Sequence, residues 1–257
     1  GQGNWLFYVD SVSLYQGKQS WEDTDAMIAE IADFVKAVAP VPVVAAVIPN
    51  KTFVYPSKLP NWINISNQRN EIINKLNDMD ALYVVDTLPA LAQATVSQDT
   101  YMAGDTHWNG YGAYVAYQSI IAGINQQLGW QLKVKDDIAE VQANDTFLGG
   151  LARMNGAGKG TDTEKTLVFA INHAQKVEKA FDLSAFKTPD YQNPQGQYKV
   201  FTLHDSFMDH HLGRYLAESF AEMNNAWMHS FSQAVPAIQQ SQPDMVLIEI
   251  VDRHIQR

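Results

Sequence analysis

The clearest pattern along the chain is an alternation of helical and strand-like apolar segments. Between residues 27 and 38, apolar side chains recur every three or four positions, which is the spacing of one buried helix face. Pro40 and Pro42 end this segment, and Ser20 is the predicted N-cap at its start. The run Val43–Ile48 is continuously apolar and rich in β-branched residues, as in a strand buried on both faces of a parallel sheet. The pattern therefore predicts a helix over about residues 20–38, followed by a buried strand.

The same alternation continues to the end of the chain. We predict further helices over residues 67–79, 109–128, 212–220 and 232–241, and strands over residues 81–86, 166–171, 198–203 and 245–251. Asn109 and Gly129 are the predicted caps of the long helix between them. Residues 152–166 are polar and rich in glycine, which predicts a loop. This order of elements is typical of an α/β domain with a mainly parallel sheet.

Composition and charge narrow the classes of function. With 257 residues, of which 46% are hydrophobic, the chain can bury the core of one large domain over residues 1–257. The net charge of −10 would repel a phosphate backbone, so we expect no nucleic-acid partner. The absence of cysteine excludes disulfides, thiolate nucleophiles and Cys-ligated zinc.

The apolar runs and the start of the chain bear on membrane and targeting segments. The longest apolar runs are far shorter than the ~20 residues that a bilayer requires, so we expect no membrane-spanning segment. No charged and apolar leader precedes Gly1, which predicts either a cytoplasmic protein or the trimmed form of a secreted one.

Three polar clusters fit the carboxyl ends of predicted strands, where functional loops lie in open α/β sheets. They are the Pro-Asn-Lys segment at residues 49–51, the segment GDTHWN at residues 104–109, and the segment HDS at residues 204–206. A serine at a strand-to-helix turn can project its hydroxyl, while the first N–H groups of the helix point at a developing oxyanion. Ser206 is therefore a candidate nucleophile.

Asp105 and His107 are candidates for the acid and the base that such a serine needs. A serine hydroxyl is a weak nucleophile until an imidazole takes its proton, and a carboxylate fixes the imidazole tautomer. Because His107 and Ser206 are 206 − 107 = 99 positions apart, only the fold can bring them together.

The residue types alone leave two alternatives open. Asp105 or Asn109 can cap the following helix, Ser206 can cap the helix after it, and Trp108 can belong to the core. A zinc or manganese site is the second alternative, with the candidate ligands Asp105, His107, His204, Asp209, His210 and His211. The residue types do not choose between the serine arrangement and the capping and core roles, and we expect neither a metal nor a cofactor.

Five short segments in order along the chain resemble the SGNH-hydrolase-like alginate O-acetyltransferase family, bacterial proteins that acetylate exopolysaccharides. DTHWNGYGA resembles the Asp-Thr-His-Trp motif of that family, and HDSF falls where the family has its nucleophile. NWLFYVD, VVAAVIPNKTFVYPSKLP and PDMVLIEIVDR resemble its opening, its Pro-Asn-Lys and Tyr-Pro segment, and its closing strand. The resemblance covers nearly the whole chain. It implies a three-layer SGNH-hydrolase-like (flavodoxin-like) α/β fold with a mainly parallel central sheet.

The resemblance also implies roles for individual residues. Ser206 would be the acyl-accepting nucleophile, His107 its general base, and Asp105 the residue that orients His107. The candidates for the oxyanion site or for substrate contacts are Asn50, Lys51, Tyr55, Trp108 and Arg214. The sequence departs from the family at two positions: His204 replaces a frequent glycine, and Gly150 replaces an aspartate.

The function that the resemblance implies is an extracytoplasmic O-acetyltransferase, which moves an acetyl group through a serine ester to hydroxyls of a bacterial exopolysaccharide, alginate-like or other. The alternatives are a carbohydrate acetylesterase with the same triad, or a non-catalytic polysaccharide-binding scaffold. The implied partners are a polysaccharide acceptor and a membrane-bound O-acyltransferase that supplies acetyl groups, in the periplasm or elsewhere outside the cytoplasm. Because the chain ends just past the closing strand, we expect no C-terminal carbohydrate-binding module.

Overall fold

A computed structural model describes residues 1–13, 16, 21–160, 162–183, 188–227 and 231–255 of the chain. Ser20, the predicted cap of the first long helix, lies outside these residues. The helices are α1 (Val9–Ser13), α2 (Trp21–Val38), α3 (Lys51–Val54), α4 (Gln68–Asn77), α5 (Leu88–Ala94), α6 (Gly110–Leu128), α7 (Gly150–Met154), α8 (Gly213–Ala217), α9 (Phe231–Ser241) and α10 (Asp252–Ile255). The strands are β1 (Val43–Ile48), β2 (Leu82–Asp86), β3 (Ile138–Phe147), β4 (Asp162–Phe169), β5 (Gln175–Val177), β6 (Asp190–Gln192), β7 (Gln197–His204), β8 (Phe220–Trp227) and β9 (Met245–Val251). Over the described ranges, no helix combines the length and the apolar character needed to cross a bilayer.

Seven strands form the central sheet, in the order β2-β1-β9-β7-β8-β6-β5. Neighbouring strands from β2 to β8 are parallel, whereas β6 pairs antiparallel with both β8 and β5. Strands β3 and β4 form a separate antiparallel ribbon. The predicted α/β fold with a mainly parallel sheet is therefore confirmed.

The core lies on both faces of this sheet. Successive side chains of a strand point to opposite faces, so the all-buried strand β1 feeds two clusters. Val44, Ala46 and Ile48 pack into the cluster that contains the apolar face of α6. Alternate residues of β1 pack into a second cluster with α2, α4 and α9. Helices cover the sheet on both sides, which explains why β1 has no polar position.

Helix α6 has the caps that the sequence predicts. The side chain of Asn109 accepts a hydrogen bond from the Gly112 N–H at 3.0 Å, and Gly129 ends the helix in the left-handed region with φ of 69°. The missing Cβ of glycine makes this φ accessible at little cost. Because Asn109 begins the helix, residues 104–108 are left in the loop at its amino end.

Three parts of the secondary-structure prediction are wrong. Residues 152–166 contain the end of α7 and the start of β4 rather than only a loop. Strand β3 was missed because nearly all of its residues are exposed and give no apolar pattern. The helix predicted over 212–220 is shorter, and β8 begins at Phe220. The polar pair Asn224 and Asn225 concealed β8: both are buried and hydrogen-bond Asp190 of the neighbouring strand β6.

Candidate active site

Asp105, His107 and Ser206 meet at the carboxyl edge of the sheet. His107 Nε2 lies 2.8 Å from Ser206 Oγ, and His107 Nδ1 lies 2.7 Å from Asp105 Oδ1. Ser206 follows β7 in the middle of the sheet, while Asp105 and His107 lie in the loop before α6. The structure thus brings together the three residues singled out as nucleophile, base and orienting acid.

The Asp105 carboxylate is ionised, and both of its oxygens accept hydrogen bonds. Its Oδ1 also accepts the backbone N–H of His107 at 3.0 Å, and its Oδ2 accepts the N–H of Gly150 at 2.5 Å. Burial raises the pKa of Asp105, but the hydrogen bonds from His107 and Gly150 and the charge of His107 outweigh this effect and hold the pKa well below its usual range. An ionised Asp105 accepts the Nδ1–H of His107, which leaves the lone pair of Nε2 directed at Ser206.

Gly150 lies where the resembling family has an aspartate. A Cβ on this residue would be 3.4 Å from Asp105 Oδ2, in ordinary contact with the carboxylate. Here the backbone N–H of Gly150, at the start of α7, is the group that reaches the carboxylate. The departure from the family pattern therefore leaves the Asp105–His107 pair intact.

Lys51 holds the loop that carries Asp105. Its side chain is 1% exposed, and its ammonium donates to the carbonyl oxygens of Met102, Ala103 and Asp105 at 3.0, 3.0 and 2.5 Å. Burial lowers the pKa of Lys51 to about 7, against the opposing charges of Asp105 and Asp162. The ammonium faces inward and its three donors are occupied, so the geometry gives Lys51 a structural role, and a substrate contact stays a prediction.

Lys51→Met should destabilise the protein, because three loop carbonyls lose their donor while the stem of the side chain is replaced. We expect the free energy of unfolding in urea to fall by about 3 kcal/mol at pH 7. The deficit should widen as the pH rises from 7 towards 10.5, because the unfolded wild-type chain keeps a proton on Lys51 that the folded chain releases, so higher pH favours the folded wild type. Lys36→Met, which removes an exposed ammonium from α2, is the control. If the stability difference between wild type and Lys51→Met instead became smaller as the pH rises, the lowered pKa of Lys51 would be contradicted.

The turn that presents Ser206 is fixed by the buried residue Asp205. The Oδ1 atom of Asp205 accepts the N–H of Phe207 at 2.9 Å, and its Oδ2 accepts the N–H of Val251 at 2.8 Å and the Nδ1–H of His254 at 3.1 Å. Burial raises the pKa of Asp205, but the hydrogen bond and charge of His254 outweigh it and lower the pKa. The backbone N–H of Asp205 donates to Glu249 Oε2 at 3.1 Å. These contacts tie the turn to β9.

His204 does not join the triad. It is fully buried, its Nδ1–H donates to the Asp205 carbonyl at 2.9 Å, and its ring packs edge-on against Trp227 with centroids 5.7 Å apart. Burial lowers the pKa of His204 and favours the neutral imidazole. The imidazole at this frequent glycine position therefore contributes to the core, and the next turn still presents Ser206 to His107.

His210 is a site residue that sequence reasoning considered only as a metal ligand. Its ring stacks on that of His107, with centroids 3.9 Å apart and planes at 15°, while Phe207 lies 4.8 Å from the same ring. Burial and the neighbouring His107 lower the pKa of His210 to about 3. A neutral ring thus covers one face of the candidate base. The only sequence signal was its spacing, four positions after Ser206.

Trp108 supports this stack from the core. Its ring is fully buried, and its Nε1–H donates to the carbonyl of His210 at 2.7 Å. The following residue, His211, has a φ of 72°, in the left-handed region that non-glycine residues adopt only when their surroundings hold them there. The buried ring of Trp108 thus has a packing role in this structure, and a substrate contact stays a prediction.

Residues 1–184 match the family described as the SGNH hydrolase-like domain of the acetyltransferase AlgX. The chain belongs to this family. The resemblance predicted from the five sequence segments is confirmed. A search of curated protein sequences gives no significant match.

Solved structures share the fold of this AlgX-family chain at low identity. PatB1 of Bacillus cereus matches with a TM-score of 0.72 and 18% identity, over 92% of each chain. A DHHW family protein from Eubacterium siraeum has a TM-score of 0.72 and 17% identity, over 91% of this chain and 86% of the other. The O-acetyltransferase domain of Pseudomonas putida AlgJ has a TM-score of 0.62 and 15% identity, over 98% and 87%. PatB1 has also been solved with a sulfonyl adduct.

Asn50 and Tyr55, two further candidates from the family resemblance, make hydrogen bonds within the fold. The side chain of Asn50 caps α3, and its backbone N–H donates to Asp252 at 3.1 Å. Within the described ranges it makes no hydrogen bond to the triad, and β9 separates its strand β1 from the strand β7 that leads to Ser206. Tyr55 is 5% exposed, and its hydroxyl accepts the Thr100 N–H at 2.7 Å. Asn50 Nδ2 is nevertheless buried without a hydrogen-bond partner among the described residues. The predicted oxyanion or substrate contacts of Asn50 and Tyr55 therefore stay predictions.

Arg214 keeps a partly accessible position. It donates to the Leu167 carbonyl and the Tyr215 hydroxyl at 3.0 and 2.9 Å. It also lines a pocket of about 180 Å³ with Met208 and His211, close in sequence to Ser206. A substrate contact by Arg214 stays a prediction.

The alternative metal ligands are not gathered in one place. In the part of the chain that the structure covers, no group of three or more histidine, aspartate or glutamate side chains is arranged to hold a metal ion. His211 donates to Glu164 at 2.9 Å, and Asp209 accepts the Thr188 hydroxyl at 2.7 Å.

Proposed function

We propose that this protein is an extracytoplasmic O-acetyltransferase, in which Ser206 takes an acetyl group as an ester and passes it to a hydroxyl of a polysaccharide. The observation that carries the proposal is the continuous hydrogen-bonded chain from Asp105 through His107 to Ser206, with an imidazole between an ionised carboxylate and a serine hydroxyl. Membership of the AlgX acetyltransferase family and the fold shared with the AlgJ O-acetyltransferase domain support it.

In the acylation step, Ser206 Oγ attacks the carbonyl carbon of the acetyl donor while His107 Nε2 takes the hydroxyl proton. The new Oγ–C bond pushes the π electrons of the carbonyl onto its oxygen, which forms a tetrahedral oxyanion. When the intermediate collapses, the carbonyl re-forms, the bond to the leaving oxygen breaks, and His107 gives that oxygen the proton. Asp105 stabilises the imidazolium that exists between the two transfers.

In the transfer step, the same groups act in the reverse order. A sugar hydroxyl gives its proton to His107 Nε2, and its oxygen attacks the acetyl-Ser206 carbonyl. Collapse returns the proton to Ser206 Oγ and releases the acetylated sugar. If water takes the place of the sugar, the product is acetate, so the exclusion of water decides between transferase and esterase.

The remaining parts of the proposal concern location and partners. From the resemblance of the sequence segments, we propose a polysaccharide acceptor, alginate-like or other, and a membrane-bound O-acyltransferase as the source of acetyl groups. We propose that residues 1–257 act as one catalytic domain in the periplasm or an equivalent compartment.

The proposal is tested by covalent labelling of Ser206. We expect a sulfonyl fluoride, and at short times a chromogenic acetyl ester, to add a single group to wild-type protein, with the adduct on the peptide that contains Ser206 in mass spectrometry. An activated serine hydroxyl reacts with both reagents, whereas an ordinary surface serine does not. Ser206→Ala should show no adduct, and Ser97→Ala, which removes an exposed hydroxyl, should label like wild type.

Wild-type protein that forms no adduct at Ser206 would contradict the enzymatic proposal and favour a non-catalytic scaffold. Labelling followed by acetylated product with added oligosaccharide supports the transferase. Release of acetate alone across a panel of oligosaccharides would favour the acetylesterase.

A further inference from the structure

Arg253 lies on the segment that wraps around the nucleophile turn. Helix α10, which contains it, begins directly after β9, the strand adjacent to β7. Two residues near Arg253 in the chain bind Asp205: the Val251 N–H and the His254 Nδ1–H both donate to Asp205 Oδ2, at 2.8 and 3.1 Å. Arg253 is therefore held close to the residue that precedes Ser206.

The guanidinium of Arg253 packs against an aromatic ring that also contacts His107. Only 6% of the residue is exposed, and its guanidinium carbon is 5.4 Å from the centroid of the Phe207 ring. Phe207 directly follows Ser206, and its ring is in turn 4.8 Å from the ring of His107. One aromatic ring thus contacts both the candidate base and a buried cation.

The guanidinium of Arg253 carries a buried hydrogen-bond donor that is not used. Across the residues that the structure describes, Arg253 makes no hydrogen bond or ion pair, and its Nη1 is buried without an acceptor. Both carboxylate oxygens of the nearby Asp205 already accept hydrogen bonds from other donors. Arg69, buried at the same edge of the sheet, is instead bonded to both Asp86 and Asp252.

A buried guanidinium without an acceptor is costly unless an anion forms or binds beside it. In the proposed reaction, negative charge develops on the acetyl carbonyl oxygen, next to Ser206. Preorganised donors at that position are among the largest contributions to catalysis. A charged donor makes a stronger hydrogen bond to an oxyanion than a neutral amide does.

We propose that Arg253 is a catalytic residue whose guanidinium donates to the acetyl carbonyl oxygen as it becomes an oxyanion, an inference that rests on the proposed function above. The backbone N–H of Ser206 would be the second donor, since the N–H groups of Phe207 and Met208 are bonded to Asp205. Arg253 transfers no proton: the electrons that move onto the oxygen during attack return when the intermediate collapses. Arg253 follows β9, the neighbour of β7, whereas Asn50, the donor predicted from the sequence, follows β1, one strand farther from β7.

The test uses the full chain with a chromogenic acetyl ester. Arg253→Ala should lower kcat by about 10²–10³-fold, the usual effect of losing one oxyanion donor, while KM changes by less than about threefold. Arg253→Lys should recover part of kcat, because it restores the charge without the forked geometry. Arg153→Gln, which changes an exposed arginine on α7, is the matched control and should behave like wild type.

Two further measurements separate catalysis from a structural role. An alkylboronic acid forms a tetrahedral adduct with an activated serine, and its Kd should rise in Arg253→Ala by about the same factor as kcat falls. Added methylguanidinium should restore part of the activity of Arg253→Ala and leave that of Ser206→Ala at background.

Unchanged kcat and boronate affinity in Arg253→Ala would overturn the inference. So would normal acylation combined with a specific loss of transfer to a polyuronate, since that pattern would assign Arg253 to the carboxylate of the acceptor. If Arg253→Ala does not fold, the kcat of Arg253→Lys is the deciding measurement. A wild-type kcat in folded Arg253→Lys would overturn the proposal that the forked guanidinium donates to the oxyanion. Failure of the proposed function is distinct, because wild-type Ser206 would then form no adduct.

Discussion

His107→Ala is expected to lower kcat/KM for a chromogenic acetyl ester by about 10⁴-fold, near the upper end of the effect of a positioned general base. The reason is that His107 Nε2, 2.8 Å from Ser206 Oγ, is the group placed to take the hydroxyl proton. His210 cannot replace it, because a pKa lowered to about 3 makes its imidazole a very weak base. His211 is held by Glu164 through its Nε2.

The measurement is a steady-state assay with wild type, His107→Ala and the control His173→Ala. His173 interacts with Glu218 through its backbone N–H, away from the triad, and its replacement should leave kcat/KM within about twofold of wild type. Circular dichroism would establish that both variants are folded. If His107→Ala kept more than a tenth of wild-type activity, the base assignment would be wrong.

Asp105→Asn is expected to lower kcat by about 10³–10⁴-fold, although it changes only one atom of the side chain. The carboxylate accepts the ring Nδ1–H and the backbone N–H of His107 on one oxygen and the Gly150 N–H on the other. An amide has a single oxygen, so its NH₂ group must face at least one of these donors. Relief of that conflict favours the tautomer with hydrogen on Nε2, which has no lone pair for the Ser206 proton.

Nitrogen NMR of the His107 ring can measure this change directly, since protonated and unprotonated imidazole nitrogens have different shifts. We expect hydrogen on Nδ1 in wild type and on Nε2 in Asp105→Asn. Asp99→Asn, at an exposed position upstream of the same loop, should preserve both the tautomer and kcat. An Asp105→Asn variant with the wild-type tautomer and full activity would exclude the orienting role.

The losses of activity expected for His107→Ala and Asp105→Asn differ in kind from the loss of stability expected for Lys51→Met. Lys51 contacts no reacting group, and it acts through the loop carbonyls of Met102, Ala103 and Asp105. Its removal should therefore appear first in stability. In the proposed function, His107 moves the proton and Asp105 orients His107, so their variants should fold and fail in the chemical step.

Strongly periodic segments of the fold could be predicted from the sequence. Helix α6 was predicted with both caps, and β1 and β9 with their full burial, because long apolar patterns and cap residues act over a few neighbouring positions. Strand β8 could not be predicted, since Asn224 and Asn225 look like loop residues until Asp190 of β6 is placed beside them. That contact joins distant parts of the chain.

The candidate site divides in the same way. Residue types and the family resemblance singled out Asp105, His107 and Ser206, because the chemistry of acyl transfer needs an acid, a base and a nucleophile of these kinds. They did not reveal His210, whose ring stacks on His107 through a kinked backbone. They also did not reveal that the Lys51 ammonium bonds three loop carbonyls, since a lysine in a Pro-Asn-Lys turn can point to solvent or inward.

The sequence by itself determined the α/β class, the parallel strands β1, β2, β7 and β9, and the candidates for nucleophile, base and acid, since these depend on local patterns and on the chemistry of single side chains. Only the tertiary structure decided that His107 reaches Ser206 across 99 positions and that Arg253 lies unpaired beside Phe207. Both depend on the strand order β1-β9-β7. That order is set by the packing of helices on both faces of the sheet, and local sequence does not specify it.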